Sequence, residues 1–445
     1  MTTSLNATWI STTPAQPWLQ KKPNLAADGR PNLAADGRPN LELSGDVHQA
    51  WEGFGGCFNE LGWLALSGVG EPARRQALDA LFAADGCRFT RCRMPIGASD
   101  YGAEWYSLNE TDGDFAMAHF SIERDRRILI PYIKAAQKIQ PRLELFASPW
   151  SPPTWMKFPK AYNHGTFIWK REYLDAYALY LLKVVQAYRA EGIPIVQIHV
   201  QNEPLADQKF PSCVWTGPQL RDFIRDHLGP LFAHHKETCE IWLGTLNTDD
   251  YDNYPHLVLA DPQAAVHISG VGLQWAGKGM IQRIAQSWPD IRLMQTENEC
   301  GDGRNTWEYA HAIFGLFRHY IDNGACGYIY WNMVLQPGGR STWGWPQNAM
   351  ITADPQAGTI TFNPEFYVMK HFSRYIAPNA VRLGLRRQWT SNAVAFRNAD
   401  RTTVLVVQNP FDEPRELAIG GLSGILTAQM DARSFNTFVV EGGEE

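Results

Sequence analysis

Three glutamates stand where apolar strand-like runs give out: Glu203 in QIHVQNEP (197–204), and Glu297 and Glu299 in LMQTENECGDG (293–303). Two carboxylates drawn from different strands can cleave a glycosidic bond, one protonating the leaving oxygen and the other attacking. Retention of configuration needs them about 5–5.5 Å apart. The acid must keep its proton near neutral pH, which burial or a nearby negative charge favours, whereas the nucleophile must stay ionised, helped by a cation or by hydrogen-bond donors. Arg93, in RCRMP (91–95), is a candidate cation, and Asn202, beside Glu203, a candidate donor to substrate. Glu297 and Glu299 would share one side of a regular strand, so residue type and spacing leave the choice between them open.

The elements that must position these residues alternate strand-like and helix-like along the chain. Apolar runs at 52–58, 87–95, 143–149, 195–203, 240–246, 268–275, 291–298 and 327–332 read as eight strands. Amphipathic stretches such as REYLDAYALYLLKVVQAYRAEG and TWEYAHAIFGLFRHYIDNG lie between them, and several end at Gly, as helices tend to. Eight such units over about 280 residues predict a (β/α)₈ TIM barrel rather than an open doubly wound sheet, because no G-x-G-x-x-G follows the first strand. The site then belongs at the C-terminal ends of the strands, where Glu203 ends the fourth and Glu297 the seventh. A lone loop glutamate is ordinarily just solvated. It is the joint placement at two strand ends that argues for chemistry.

Past residue 375 the texture changes to short alternating runs with turn signals every eight to twelve positions, which predicts a small β-sandwich or barrel. The strand-like N-terminus could add strands to it. The expected division is therefore 1–46 (N-terminal strands of a β-sandwich side domain), 47–374 (barrel) and 375–445 (C-terminal β-sandwich). The octapeptide PNLAADGR, repeated in tandem at 23–30 and 31–38, is too short for a solenoid unit and reads as a duplicated hairpin or loop.

Composition bounds the partners. A net charge of −6 with no long basic run argues against nucleic acid and anionic membrane surfaces, and no 18-residue apolar run predicts membrane insertion. Seventeen Trp and sixteen Tyr suit stacking on sugar rings, although most aromatics serve as core. Seven scattered cysteines without a C-x-x-C pair disfavour a zinc ribbon or disulfide framework and fit a reducing compartment. With no basic, then apolar leader at the N-terminus, a cytoplasmic location is expected. His199, His227, His234, His235, His256 and His267 show neither H-x-H nor H-E-x-x-H spacing, which counts against a metal-dependent hydrolase. Nothing in the sequence sets an oligomeric state.

The motifs QNEP, TEN followed by Cys-Gly, FASPWSPPTW (146–155), RMPIGASDY (93–101) and YWN (330–332) together resemble glycoside hydrolase family 30, in its acid β-glucosidase (glucosylceramidase) branch, over about three quarters of the chain. The resemblance implies a barrel with a β-sandwich built from both chain ends and a retaining double displacement without metal or organic cofactor. By motif it makes Glu203 the acid/base and Glu297 the nucleophile, leaving Glu299 as a rim residue that raises the local negative potential or meets substrate hydroxyls. Asp100, Trp155, Asn202 and Trp331 would line the sugar pocket, with Trp275 and Gln274 beside them and Arg93 orienting the nucleophile. The chain also departs from that branch. Gln274-Trp275-Ala276 stands where the branch has His-Trp-Tyr, and Glu297-Asn298-Glu299-Cys300 where it has Glu-Ala-Cys. The expected activity is a retaining exo-β-glycosidase of β-glucosidase or glucosylceramidase type acting on a glycoside. Action on xylose, fucose, galactose or glucuronate, an endo-acting glycanase, and a non-catalytic carbohydrate-binding barrel remain as alternatives.

Overall fold

Eight parallel strands close into a barrel: β1 (Gly53–Cys57), β2 (Arg91–Ile96), β3 (Glu144–Pro149), β4 (Ile195–His199), β5 (Glu240–Leu246), β6 (Ile268–Gln274), β7 (Arg292–Glu297) and β8 (Ala325–Asn332). Each falls within, or within two residues of, one of the apolar runs. The computed structural model describes residues 6–26 and 38–442, so most of the PNLAADGR repeat lies outside the described residues. Covering helices include Glu71–Phe82, Arg171–Ala190 and Trp307–Asp322. The Arg171–Ala190 helix buries Leu174, Tyr177, Leu181, Val184 and Tyr188 at three- and four-residue spacing, as one face of a 3.6-residue period requires. None of the described helices is long and apolar enough to cross a membrane.

Inside the barrel Phe146, Trp242, Met294 and Ile329 form a floor. The His199 ring packs into it, 4.6 Å from Phe146 and 5.2 Å from Trp242. Gly272 makes room for that ring: a Cβ there would stand 2.4 Å from His199 Nδ1. Burial holds His199 well below the usual histidine range, so it fills space as a neutral ring.

Ten strands from both chain ends hydrogen-bond in one continuous curled sheet. The N-terminal strand Ala7–Thr12 pairs antiparallel with the C-terminal strand Ser434–Val440, and Leu41–Ala50 pairs with Val381–Arg386. Its own core contains Trp9, Leu405, Leu417, Ile419, Leu426 and Phe438. The sheet is fastened to the barrel by buried groups such as His371, whose two ring nitrogens meet Thr12 and Thr437 at 2.8 Å each. All seven cysteines are buried and unpaired.

Candidate active site

Arg93 organises the barrel mouth from below. It has no exposed surface, and its guanidinium lies 4.5 Å from the Trp150 ring and 5.4 Å from the Trp331 ring. Nη1 donates to Glu297 Oε2 at 2.7 Å and to the Thr296 carbonyl at 3.2 Å. Nη2 donates to Asn202 Oδ1 at 2.6 Å and Ser148 Oγ at 2.8 Å, and Nε donates to the same hydroxyl at 3.1 Å. With Gln274 Oε1 at 3.4 Å from Nη1, the five N–H groups of Arg93 have six local acceptor contacts. A guanidinium so satisfied is fixed in place, and it holds one carboxylate.

Glu203 arrives from the neighbouring direction. Beyond β4 the chain keeps its ladder going, with Gln201 N donating to Gly244 O at 2.9 Å, Asn202 N to Pro149 O at 2.8 Å and Glu203 N to Thr245 O at 3.0 Å. Glu203 itself takes φ 48°, as does Trp275 just past β6. Left-handed backbone at non-glycine residues is costly and clusters at functional sites. Between the two glutamates sits Gln274, fully buried, whose Nε2 donates to Glu203 Oε1 at 2.9 Å and to Glu297 Oε2 at 3.3 Å. Because one nitrogen makes both bonds, these two oxygens lie no farther apart than the 6.2 Å to which the bond lengths add.

The two carboxylates have unlike surroundings. Burial pushes Glu203 up to about 8, the negative charge of Glu297 adds to this, and Gln274 and Arg93 act in the opposite direction. Burial raises Glu297 as well, but there Arg93 at 2.7 Å, the Trp275 indole N–H at 3.2 Å and Gln274 all favour the ionised form. The pair is thus split into one group that keeps a proton at neutral pH and one that gives it up more readily, as an acid and a nucleophile require.

A cavity of about 370 Å³ opens over this pair, its lining including Asp100, Trp150, Asn202, Glu203, Trp275 and Glu297. Asp100 is 6% exposed, and its Oδ1 has no partner within the protein. Burial and the two glutamate charges raise its carboxyl well above the usual range. Of the residues singled out from sequence, Asp100, Asn202, Glu203, Trp275 and Glu297 meet at this cavity. Gln274 lies directly beneath, and Arg93 holds Glu297 without reaching the cavity itself.

Three expectations need correction. Trp155 is not in the pocket: its indole N–H donates to the Asn109 carbonyl at 3.0 Å, and its ring packs on Phe115 and Tyr173 in the core. The lining ring is Trp150 in the same motif, the first residue after β3. A strand-tip position is the sequence signal that separates it from Trp155, five residues on. Trp331 also stands back from the cavity, behind Trp150 at 5.3 Å, while its backbone N–H donates to Asn298 Oδ1 at 2.6 Å. Glu299 turns away from the mouth and pairs with Lys278, which in turn donates to the Trp275 carbonyl at 3.3 Å. Its charge is met by a cation instead of facing the cavity.

Ala276, from the segment that departs from the family branch, joins the lining, and Gln208, Phe210, Asn247, Trp345 and Gln347, which no motif marks, complete it. They come from loops after β4, β5, β6 and β8, where no local pattern says which side chain turns inward.

A closed parallel barrel with paired carboxylates at the ends of β4 and β7, roofed by an aromatic-lined cavity, is the architecture of a glycoside hydrolase. Residues 51–376 match the glycosyl hydrolase family 30 TIM-barrel domain and residues 379–438 the family 30 beta sandwich domain, so the chain belongs to glycosyl hydrolase family 30. Among its relatives, the lysosomal acid glucosylceramidase of Mus musculus is 26% identical over 425 residues, covering 87% of this chain and 80% of the mouse one. An endo-1,6-beta-D-glucanase of Neurospora crassa is 27% identical over 406 residues, covering 84% and 82%. Of solved structures, SrfJ from Salmonella typhimurium superimposes with a TM-score of 0.88 at 26% identity, over 98% of this chain and 100% of that one.

Proposed function

We propose that this glycoside hydrolase cleaves β-glycosides with retention of configuration, taking a terminal β-glucosyl unit. Glu297 attacks the anomeric carbon while Glu203 gives its proton to the departing oxygen. A water then gives a proton back to Glu203 as its oxygen displaces Glu297 from the sugar, which restores both groups. The observation that carries this reading is the Gln274 amide shared by the two carboxylates. It keeps Glu203 Oε1 and Glu297 Oε2 within 6.2 Å of each other, which suits the close carboxyl pair, about 5–5.5 Å apart, that retention needs.

The unlike environments assign the roles. Glu203, pushed up to about 8, holds the proton, and Glu297, bonded to Arg93 and Trp275, carries the charge. The unpartnered Asp100 Oδ1 suits the free hydroxyls of a terminal sugar. Proton NMR of the first anomer released from 4-nitrophenyl β-glucoside tests the mechanism, the β-anomer being expected. An α-anomer formed first overturns it. Full activity in both Glu203→Gln and Glu297→Gln overturns the assignment of roles. A β-glucan chain cut internally, with no monosaccharide released, would decide for the endo alternative.

A further inference from the structure

The turn that carries Asp100 is fastened from outside the cavity. We infer that Glu60, paired with Arg124, is a positioning residue for the reaction: it fixes this turn, and its effect on turnover passes through Asp100. This assignment rests on the proposed contact between Asp100 and the hydroxyls of a terminal sugar.

Asp100 lies just past β2, at the start of the long connection 97–128 that leads to the helix Leu129–Ile139. With its Oδ1 unpartnered, the aim of the carboxylate depends on the backbone beneath it. That backbone makes a tight turn, in which Gly102 N donates to Ser99 O at 3.1 Å and Tyr101 N to Ser99 Oγ at 3.1 Å. The turn sits against the start of the helix Glu60–Gly68, where Leu61 N donates to Tyr101 O at 3.2 Å.

Glu60 adds a charged fastener. A glutamate in the first turn of a helix ordinarily serves that helix, by facing its positive end. Here the side chain is 1% exposed and both oxygens are engaged elsewhere. Oε2 accepts from Ala103 N at 2.8 Å, three residues beyond Asp100. Arg124, near the far end of the same connection, donates Nη1 to Oε1 at 2.7 Å and Nη2 to Oε2 at 3.1 Å. Arg124 is held in turn by Glu104, which accepts from Nε at 2.6 Å, and its guanidinium lies 4.6 Å from the Tyr106 ring. One buried carboxylate thus ties the connection, near its start and near its end, to the helix that follows β1. A forked, charge-assisted contact of this kind fixes orientation as well as distance.

The other side of the turn meets the loop after β8. Thr342 Oγ1 donates to Gly102 O at 2.6 Å, and the Tyr101 hydroxyl meets the carbonyls of Gly339 and Trp345 at 2.7 and 2.9 Å. Those partners belong to irregular backbone, whereas Glu60 stands on a helix and supplies the rigid reference.

The test is a double-mutant cycle read with 2,4-dinitrophenyl β-glucoside, whose easy leaving group keeps weak variants measurable. In otherwise wild-type enzyme, Glu60→Ala should lower kcat/KM by about tenfold to a hundredfold, the size expected when a substrate contact shifts by up to roughly 1 Å. In Asp100→Ala the same change should cost less than about threefold, because the contact it aims is already gone. A purely structural role lowers kcat/KM by one factor in both backgrounds. That result, or a folded Glu60→Ala enzyme with wild-type activity, overturns the inference. Should Glu60→Ala fail to fold, Glu60→Gln replaces it, since it keeps an acceptor for Ala103 N and loses only the charge pair. A loss of about fivefold or more is then expected with Asp100 present and none in Asp100→Ala, and equal losses again overturn the inference. Should no β-glucoside be turned over, the proposed function fails, and hydrogen exchange decides the clamp separately. Amides of 97–106 should exchange about tenfold faster or more in Glu60→Gln than in wild type, and equal exchange refutes the clamp.

Discussion

Removing the cation under Glu297 is the most exacting test of the site. Arg93 is fully buried and Glu297 nearly so, with side-chain exposures of 0% and 6%, so solvent screens their 2.7 Å contact little. Taking one partner from a buried pair costs about 3–5 kcal/mol, because the remaining charge is left uncompensated. In Arg93→Gln that cost falls on the ionised form of Glu297. At mildly acidic pH, the fraction of enzyme with a charged nucleophile should fall by roughly 10²–10⁴-fold.

The signs can be followed on a plot of kcat/KM against pH. Activity is lost as pH falls through the Glu297 ionisation and again as pH rises through that of Glu203 at about 8. Losing Arg93 moves the acid limb towards alkaline pH, narrowing the window until both carboxyls hold protons over most of it. The assay is 4-nitrophenyl β-glucoside hydrolysis from about pH 4 to about pH 10. Arg93→Lys serves as a partner variant that keeps the charge but loses the planar fork. Circular dichroism melts confirm that each variant is folded. A folded Arg93→Gln enzyme with the wild-type acid limb refutes the reasoning.

Three further outcomes are expected. Burial pushes Glu365 up to about 7 from an ordinary 4.5, so the folded state holds that proton more tightly than the unfolded chain and loses stability as pH rises between those values. Glu365→Gln, still able to accept from Asn348, should be more stable than wild type by up to about 3 kcal/mol at pH 8 and equal to it near pH 4, as read by urea melts; a pH-independent difference contradicts this. Azide should restore activity to Glu297→Gly and give the inverted glycosyl azide, whereas Glu299→Ala should keep its hydrolytic activity within about threefold, since a half-exposed pair with Lys278 contributes little. Rescue of Glu299→Ala by azide would exchange the two roles. Trp155→Ala should lower the melting temperature, with an expected cost of about 3–5 kcal/mol, while Trp150→Ala should raise KM; the reverse pattern would return Trp155 to the pocket.

Sequence alone carried the parts of this protein that depend on near neighbours. Apolar runs mark the eight strands because a strand buried on both faces is continuously apolar. Glu203 and Glu297 are legible as site residues because the end of a strand is a local event followed by a barrel-wide rule. Trp150 was within reach of the same rule, since it directly follows β3.

What the tertiary structure decided are the relations across the barrel. Arg93 and Glu297 are 204 residues apart, and Gln274 and Glu203 are 71 apart. No local pattern states that one amide bridges both carboxylates or that one guanidinium is spent entirely beneath them. The same holds for Glu299, whose strand periodicity points it towards Glu297 until the chain leaves β7 and Lys278 draws it aside. Barrel closure sets these distances, and with them which of the two glutamates in TENEC lines the cavity.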